Sequence, residues 1–180
     1  MSLRRNERLI VLMSGLPCSG KSTYIAANPI SDAIVIDRSQ WRKELRKKHE
    51  TTDYFPYSQN AEYAAFIAHV LSVLDANPTG TLVVNSTLLT AKRLGKFLLD
   101  ISCEISEKDH VEIKHLDTPY SICLARNAAL PNPVPEKMMF LFNRGMELNP
   151  INPQSAARKN TENYMPNTIH YTRIICGERK

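Results

Sequence analysis

Short apolar runs alternate along the chain with longer stretches whose apolar residues recur at helical spacing. Brief apolar runs bounded by turn-forming residues are the pattern of buried strands. They fall near 8–13, at Ala33-Ile34-Val35-Ile36 ending in Asp37, at Thr81-Leu82-Val83-Val84 after the turn Asn77-Pro78-Thr79-Gly80, at 110–116 and at 168–175. Helices are expected between them: one opening at Thr23-Tyr24-Ile25-Ala26-Ala27, then 39–49, 58–75, a segment capped by Thr90 and running to about 101, 119–129 and 135–148. Strands separated by helices predict an α/β fold, with a mostly parallel five-stranded sheet and helices on both faces. Ligands of such sheets sit at the carboxyl ends of the strands.

Two segments interrupt the alternation. Leu130-Pro131-Asn132-Pro133-Val134-Pro135 is a stiff loop between two helices, so 126–140 is expected to form a short helical lid. Residues 149–167 are rich in Asn and Pro and have little periodicity, which predicts an irregular surface segment before the last strand. The length, 180 residues, suits a single domain over 1–180.

Composition changes the picture modestly. The net charge of +5 and a pI near 9.1 favour a polyanionic partner such as nucleic acid. Cys18, Cys103, Cys123 and Cys176 are scattered with no C-x-x-C pair, so neither a disulfide framework nor a zinc site is expected, and a reducing cytoplasm fits. The five histidines have no metal-ligand spacing; His110 and His115 read as structural or surface groups. Every apolar run is too short to span a bilayer, so no membrane association is expected. The basic start of the chain is not read as a leader, because the apolar run after it flows straight into the motif described next.

That motif is Gly15-Leu16-Pro17-Cys18-Ser19-Gly20-Lys21-Ser22, followed by Thr23. It fits G-x-x-x-x-G-K-[ST] between an expected strand and an expected helix. Glycines let backbone N–H groups crowd around phosphate oxygens, and the helix N-terminus adds partial positive charge. Lys21 can reach the β- and γ-phosphates of a nucleotide, and the Ser22 hydroxyl can ligate Mg²⁺. The loop therefore predicts a nucleoside triphosphate site. No N-K-x-D guanine motif is present, and the third strand ends in Asn85-Ser86 rather than an acidic pair. A small kinase with a lid that excludes water fits better than a GTPase or a motor ATPase.

Other candidates surround the loop. Asp37 ends the second strand, where a carboxylate can hold Mg²⁺ or accept the proton of an attacking hydroxyl; it can equally cap the next helix. Arg38, Arg42, Lys43, Arg46, Lys47 and Lys48 crowd that helix, either as a solvated face or as a track for a phosphate backbone. Tyr54 is a possible stacking surface, and Trp41 is expected to pack against the core. Arg126 lies just before the proline loop, with Arg144 a weaker candidate for the same phosphate-facing role.

In order and spacing these residues resemble the kinase domain of bacteriophage polynucleotide 5′-hydroxyl kinases. The resemblance rests on Gly15 to Thr23, on Ile36-Asp37-Arg38-Ser39-Gln40-Trp41-Arg42, on the acidic, tyrosine-containing stretch His49 to Tyr57, on Val84-Asn85-Ser86-Thr87, and on Asp117-Thr118-Pro119 with Arg126-Asn127; it spans about 8–148. It implies that Gly15, Pro17, Cys18, Ser19, Gly20, Lys21, Ser22, Thr23 and Arg126 bind ATP. It further implies that Arg126 contacts the donor phosphates and Arg42 the acceptor phosphate, with Arg38, Ser39, Asn85 and Ser86 around the acceptor. Lys21, Asp37 and Arg126 are the candidate catalytic groups, and Ser22 and Asp37 the candidate Mg²⁺ ligands. The chain departs from the family pattern where two carboxylates fall on Ser39 and Ser86, and where a second lid arginine falls on Leu130. The family's phosphatase domain has no counterpart here.

The expected activity is that of a P-loop phosphotransferase. It moves the γ-phosphate of ATP, with Mg²⁺, to a hydroxyl of DNA or RNA, by resemblance the 5′-hydroxyl end. The alternatives are a hydroxymethylpyrimidine base within phage-type DNA as acceptor, a free nucleoside or nucleotide as acceptor, and a nucleotide-binding regulator that does not catalyse. The expected place of work is the cytoplasm, the host's if the chain is phage-encoded; oligomeric state is left open.

Overall fold

The computed structural model describes residues 7–49, 59–151 and 169–176. Tyr54 with most of the acidic stretch, nearly all of the irregular segment before the last strand, and Thr168 lie outside the described residues. The elements run β1 (Arg8–Ser14), α1 (Lys21–Ala27), β2 (Ile34–Asp37), α2 (Arg38–Lys48), α3 (Gln59–Ala76), β3 (Gly80–Asn85), α4 (Ala91–Asp100), a 3₁₀ turn (Ser102–Glu104), β4 (His110–Asp117), α5 (Tyr120–Ala128), α6 (Glu136–Leu148) and β5 (Ile169–Ile175).

The five strands form one sheet in the order β2-β3-β1-β4-β5, and every pairing is parallel. β1 is central and buried on both faces, which explains its near-continuous apolar run. Its side chains alternate between two cores. Ile10 and Leu12 join Leu82, Val84, Val111 and Ile113 beneath α3 and α4. Val11 and Met13 join Val83 on the opposite face, against Tyr24 and Ile25 of α1. A third apolar cluster, Leu16, Leu89, Cys123 and Met139, seats α5 and α6 beside the loop after β1.

The connection after β1 leads toward the β2 edge, whereas the one after β3 leads past β1 to β4. This reversal makes a crevice at the carboxyl end of β1, where open parallel sheets bind ligands. Among the described residues no helix is long and apolar enough to cross a membrane.

Local chemistry shifts several expected boundaries. α1 begins at Lys21, two residues early, because Gly20 serves as its N-cap in the left-handed region at φ +99°. α2 begins at Arg38 with Asp37 as its cap. Pro119 and Pro135 stand at the N-caps of α5 and α6 rather than in their first turns. β1 is anchored at its start by Arg8, whose guanidinium is 5% exposed. Nη1 donates to the carbonyls of Leu74 (2.8 Å), in the last turn of α3, and of Asn77 (3.2 Å), just beyond it, and Nη2 pairs with Asp109 at 2.8 Å and with the Glu104 carbonyl.

Candidate active site at the carboxyl end of the sheet

The loop between β1 and α1 turns around Gly15, at φ +142°. A Cβ there would stand 2.8 Å from both the Leu116 carbonyl oxygen and Ser19 Oγ, so only glycine lets the loop lie this close to β4. Cys18 also adopts a positive φ, +62°. Thr118 Oγ1 donates to the Ser19 carbonyl at 2.8 Å, tying the loop to the segment after β4. At the loop's base Ser14 Oγ donates to the Leu88 carbonyl, so the 3.0 Å contact between Ser14 Oγ and His115 Nδ1 requires the proton on Nδ1. Burial holds the His115 pKa below its ordinary value, so the ring is neutral and structural.

Lys21 is the one buried residue of α1. Its ammonium donates to the carbonyls of Gly15 (2.9 Å) and Leu16 (2.7 Å), and meets Ser19 Oγ only at 3.5 Å. Burial lowers its pKa to about 8. Burial raises the Cys18 thiol above its ordinary value even though Lys21 and Arg126 pull it down, which leaves a protonated thiol in the loop.

Asp37 divides its carboxylate between two tasks. Oδ1 accepts from Ser39 N (2.9 Å), Ser39 Oγ (2.7 Å) and Gln40 N (3.0 Å), capping α2. Oδ2 accepts from Ser22 Oγ at 3.2 Å and from Asn85 Nδ2, which also donates to Ser22 Oγ at 2.9 Å. Burial alone would raise the Asp37 pKa, but the bonds from Ser39, Gln40, Asn85 and Ser22 outweigh it and hold the carboxyl below its ordinary value. Ser22 and Asp37 fit a magnesium site. Adjacent oxygens in an octahedral shell with bonds of about 2.1 Å stand about 3 Å apart. The observed 3.2 Å is close to that edge.

Arg126, in the last turn of α5, reaches the loop, and Nη1 donates to the Cys18 carbonyl at 3.3 Å. Its neighbour Asn127 is buried. It clamps the proline loop by donating to the Val134 carbonyl (2.8 Å) and accepting from Val134 N (2.9 Å), while its Oδ1 stands 3.8 Å from Cys18 Sγ. Asn127 thereby connects the proline loop to the loop after β1. Leu130, on the proline loop, is exposed, as is Arg144 on α6.

The residues expected around an acceptor separate into groups. Asn85 sits with Ser22 and Asp37. Ser86 is buried, and its hydroxyl has no hydrogen-bond partner among the described residues. Ser39 is exposed and its hydroxyl serves the α2 cap. Arg38 and Arg42 both turn toward Glu62 on α3, at 3.2 and 2.9 Å. Trp41 packs edge-on against Phe66 and stacks with His69, so it is part of the core. Asp117 pairs with Arg173 of β5. Lys43, Lys47 and Lys48 are exposed. An apolar cleft of about 310 Å³ between α1 and the sheet is lined by Val11, Met13, Tyr24, Ile25, Ile30 and Val83; none of the loop residues from Gly15 to Ser22 lines it.

Glu62 was not anticipated, yet the pattern contains a signal. It occupies the same helical stripe as Phe66, Val70 and Leu74, so a carboxylate stands in register with buried apolar side chains. Such a position demands a partner.

Comparison with known proteins places this geometry. A family model described as an AAA domain matches residues 10–138. No curated protein sequence matches the chain. Among solved structures, a chain of the Pnkp1/Rnl/Hen1 RNA repair complex superposes with a TM-score of 0.59 at 16% identity, covering 81% of this chain and 45% of that one. This chain thus spans less than half the length of that relative. Kti12 from Chaetomium thermophilum, in complex with ADP-AlF3, superposes with a TM-score of 0.56 at 12% identity, covering 91% and 88%. A gluconokinase from Sinorhizobium meliloti 1021 gives 0.50 at 17% identity, covering 94% and 84%. At these identities the structural likeness establishes the fold.

Proposed function

The chain belongs to the AAA domain family and has a P-loop kinase-like fold, and from that footing we propose that it transfers the γ-phosphate of ATP to a hydroxyl of a nucleic acid, at its 5′ end. The observation that supports this most is the convergence of Lys21, Ser22, Asp37 and Arg126 on one loop at the carboxyl end of β1.

Backbone N–H groups of the loop and the start of α1 receive the β-phosphate. Lys21 holds its loop through two carbonyls and offers its remaining N–H to the β- and γ-oxygens. Ser22 and Asp37 would hold Mg²⁺, which would supply positive charge to the polyphosphate. Arg126 stabilises the charge that spreads over the transferring phosphoryl group. The acceptor oxygen bonds to the γ-phosphorus as the bond to the bridging oxygen breaks; ADP departs and the hydroxyl proton is lost to water. Asp37, a carboxylate of depressed pKa, is a weak base and suits the metal better than proton removal. A loose transition state asks little of a base, so Ser39 and Ser86 at the family's carboxylate positions are compatible with activity. The exposed lysines of α2 continue from the site as a track for the acceptor backbone.

A small-molecule acceptor is the second reading, favoured by one observation: the half-buried Trp41 ring is engaged by Phe66 and His69, which makes it a poor platform for a base. The two are separated by incubating labelled ATP with a 5′-hydroxyl oligonucleotide, hydroxymethyluracil-containing DNA, free nucleosides and gluconate. Label at the oligonucleotide end is the expected result. Label only on a monomer establishes the second reading, label on internal bases moves the acceptor there, and ATP binding without transfer leaves a regulator.

A further inference from the structure

Glu62 is fully buried in the first turn of α3. Its Oε1 accepts from both Arg38 Nε (3.2 Å) and Arg42 Nη2 (2.9 Å). Its Oε2 is buried with no hydrogen-bond partner among the described residues. Arg38 is gripped on a second side, its guanidinium lying 5.1 Å from the ring centre of Phe66 and 5.7 Å from that of Tyr63. Both arginines stand in the first two turns of α2, which starts at the carboxyl end of β2 directly after Asp37.

Helix anchoring alone does not explain this arrangement. Well-packed apolar residues of similar volume hold two helices together as well as a buried ionic triad does, without desolvating charge. An ionic triad adds direction. A planar guanidinium bound to a fixed carboxylate oxygen presents its other N–H groups along fixed lines. Two guanidinium groups sharing one carboxylate also carry a single net positive charge, which matches the single negative charge of a phosphodiester.

We propose that Glu62 is the positioning residue of the acceptor site, fixing Arg38 and Arg42 on one carboxylate oxygen so that together they meet the phosphodiester next to the acceptor hydroxyl. This rests on the nucleic-acid reading given above. It assigns Glu62 an effect on the acceptor and none on ATP, because both arginines bond to Glu62 on α3.

The test is steady-state kinetics with ATP and a short 5′-hydroxyl oligodeoxynucleotide, alongside fluorescence anisotropy of the same labelled oligonucleotide. Glu62→Gln keeps the shape and removes the charge. It is expected to raise the acceptor KM and the oligonucleotide Kd by roughly ten- to a hundredfold, the range of one charge-assisted hydrogen bond, with the KM for ATP unchanged. Glu62→Asp, which retains the charge, is expected to recover part of the loss. In an Arg38→Ala/Arg42→Ala background Glu62→Gln is expected to add little, because the three act as a unit. Anisotropy on Glu62→Leu, which fills the site with an apolar side chain, keeps the test decisive should the Gln variant fold poorly: a Leu variant with wild-type melting and wild-type oligonucleotide affinity overturns the proposal. An unchanged acceptor KM in a folded Glu62→Gln, an equal rise in the KM for ATP, or full additivity with the Arg38→Ala/Arg42→Ala double variant overturns the role of Glu62 while leaving the kinase reading intact. Wild-type protein that neither phosphorylates nor binds the oligonucleotide overturns the nucleic-acid reading itself, and the proposal with it.

Discussion

Ser22 Oγ stands 3.2 Å from Asp37 Oδ2, although the two residues belong to different strand-to-helix turns. Asn85 Nδ2, from the end of β3, bonds to both. Three adjacent strand ends thus converge on one polar point, and the carboxylate there comes from β2 while β3 contributes an amide. Asp37→Asn leaves the α2 cap partly satisfied but removes the anionic ligand proposed for Mg²⁺. The expected result is a loss of kcat of about 10²-fold or more and a higher Mg²⁺ requirement. A Mg²⁺ titration of activity checks this, and an unchanged midpoint would remove Asp37 from the metal.

The Asp37 carboxyl is held below its ordinary value, so it stays ionised in mildly acidic solution. Its folded pKa lies below its unfolded one. Its contribution to stability is therefore present above the unfolded pKa of about 3.9 and is lost as pH falls through the folded value. Urea unfolding followed by circular dichroism should show wild type more stable than Asp37→Asn above about pH 4, with the difference shrinking as pH falls below that.

Lys21 titrates near pH 8 because burial disfavours its charge. Unfolded, its pKa is about 10.4, so between pH 8 and about 10.4 the unfolded chain binds more protons and the contribution of this group to stability rises with pH. Nucleotide binding runs the other way, since polyphosphate favours the ammonium. ATP affinity should fall as pH rises above 8, and binding at about pH 8.5 should take up a proton. Calorimetry in two buffers of different ionisation enthalpy measures that uptake; equal heats would contradict it. Lys21→Ala should abolish transfer.

Arg126→Ala should leave the protein folded and ATP bound, while lowering kcat by about 10³-fold, the lower range for an arginine acting on a transferring phosphoryl group. Arg126→Lys should not restore it, because an ammonium lacks the planar fork. Single-turnover kinetics at saturating ATP distinguishes this from a binding defect.

Arg8 lies far from the loop chemistry and concerns stability alone. Arg8→Ala strands Asp109 and unties two carbonyls at the C-terminal end of α3, those of Leu74 and Asn77. The expected cost is about 3–5 kcal/mol in urea unfolding, with the Kd for ATP unchanged in the folded fraction.

Much of the architecture was present in local pattern. The apolar runs of β1, β3 and β4 and the stripe of α3 are dictated by burial, so their periods show in the chain itself, and the spacing of Gly15, Gly20, Lys21 and Ser22 fits the pattern of a phosphate-binding loop. Boundaries were less legible. Whether Asp37 ends a strand or opens a helix depends on which backbone N–H groups it meets, and in the fold it does both.

The sequence by itself determined the alternation of strands and helices, the phosphate loop and the excess of basic residues on α2, because these follow from local periodicity and from composition. Only the tertiary structure decided that every strand is parallel, that Asn85 joins Ser22 and Asp37, and that one buried carboxylate holds Arg38 and Arg42. Each of these depends on residues distant along the chain meeting in space. A charge such as Glu62 acquires its role from the partners that burial forces upon it.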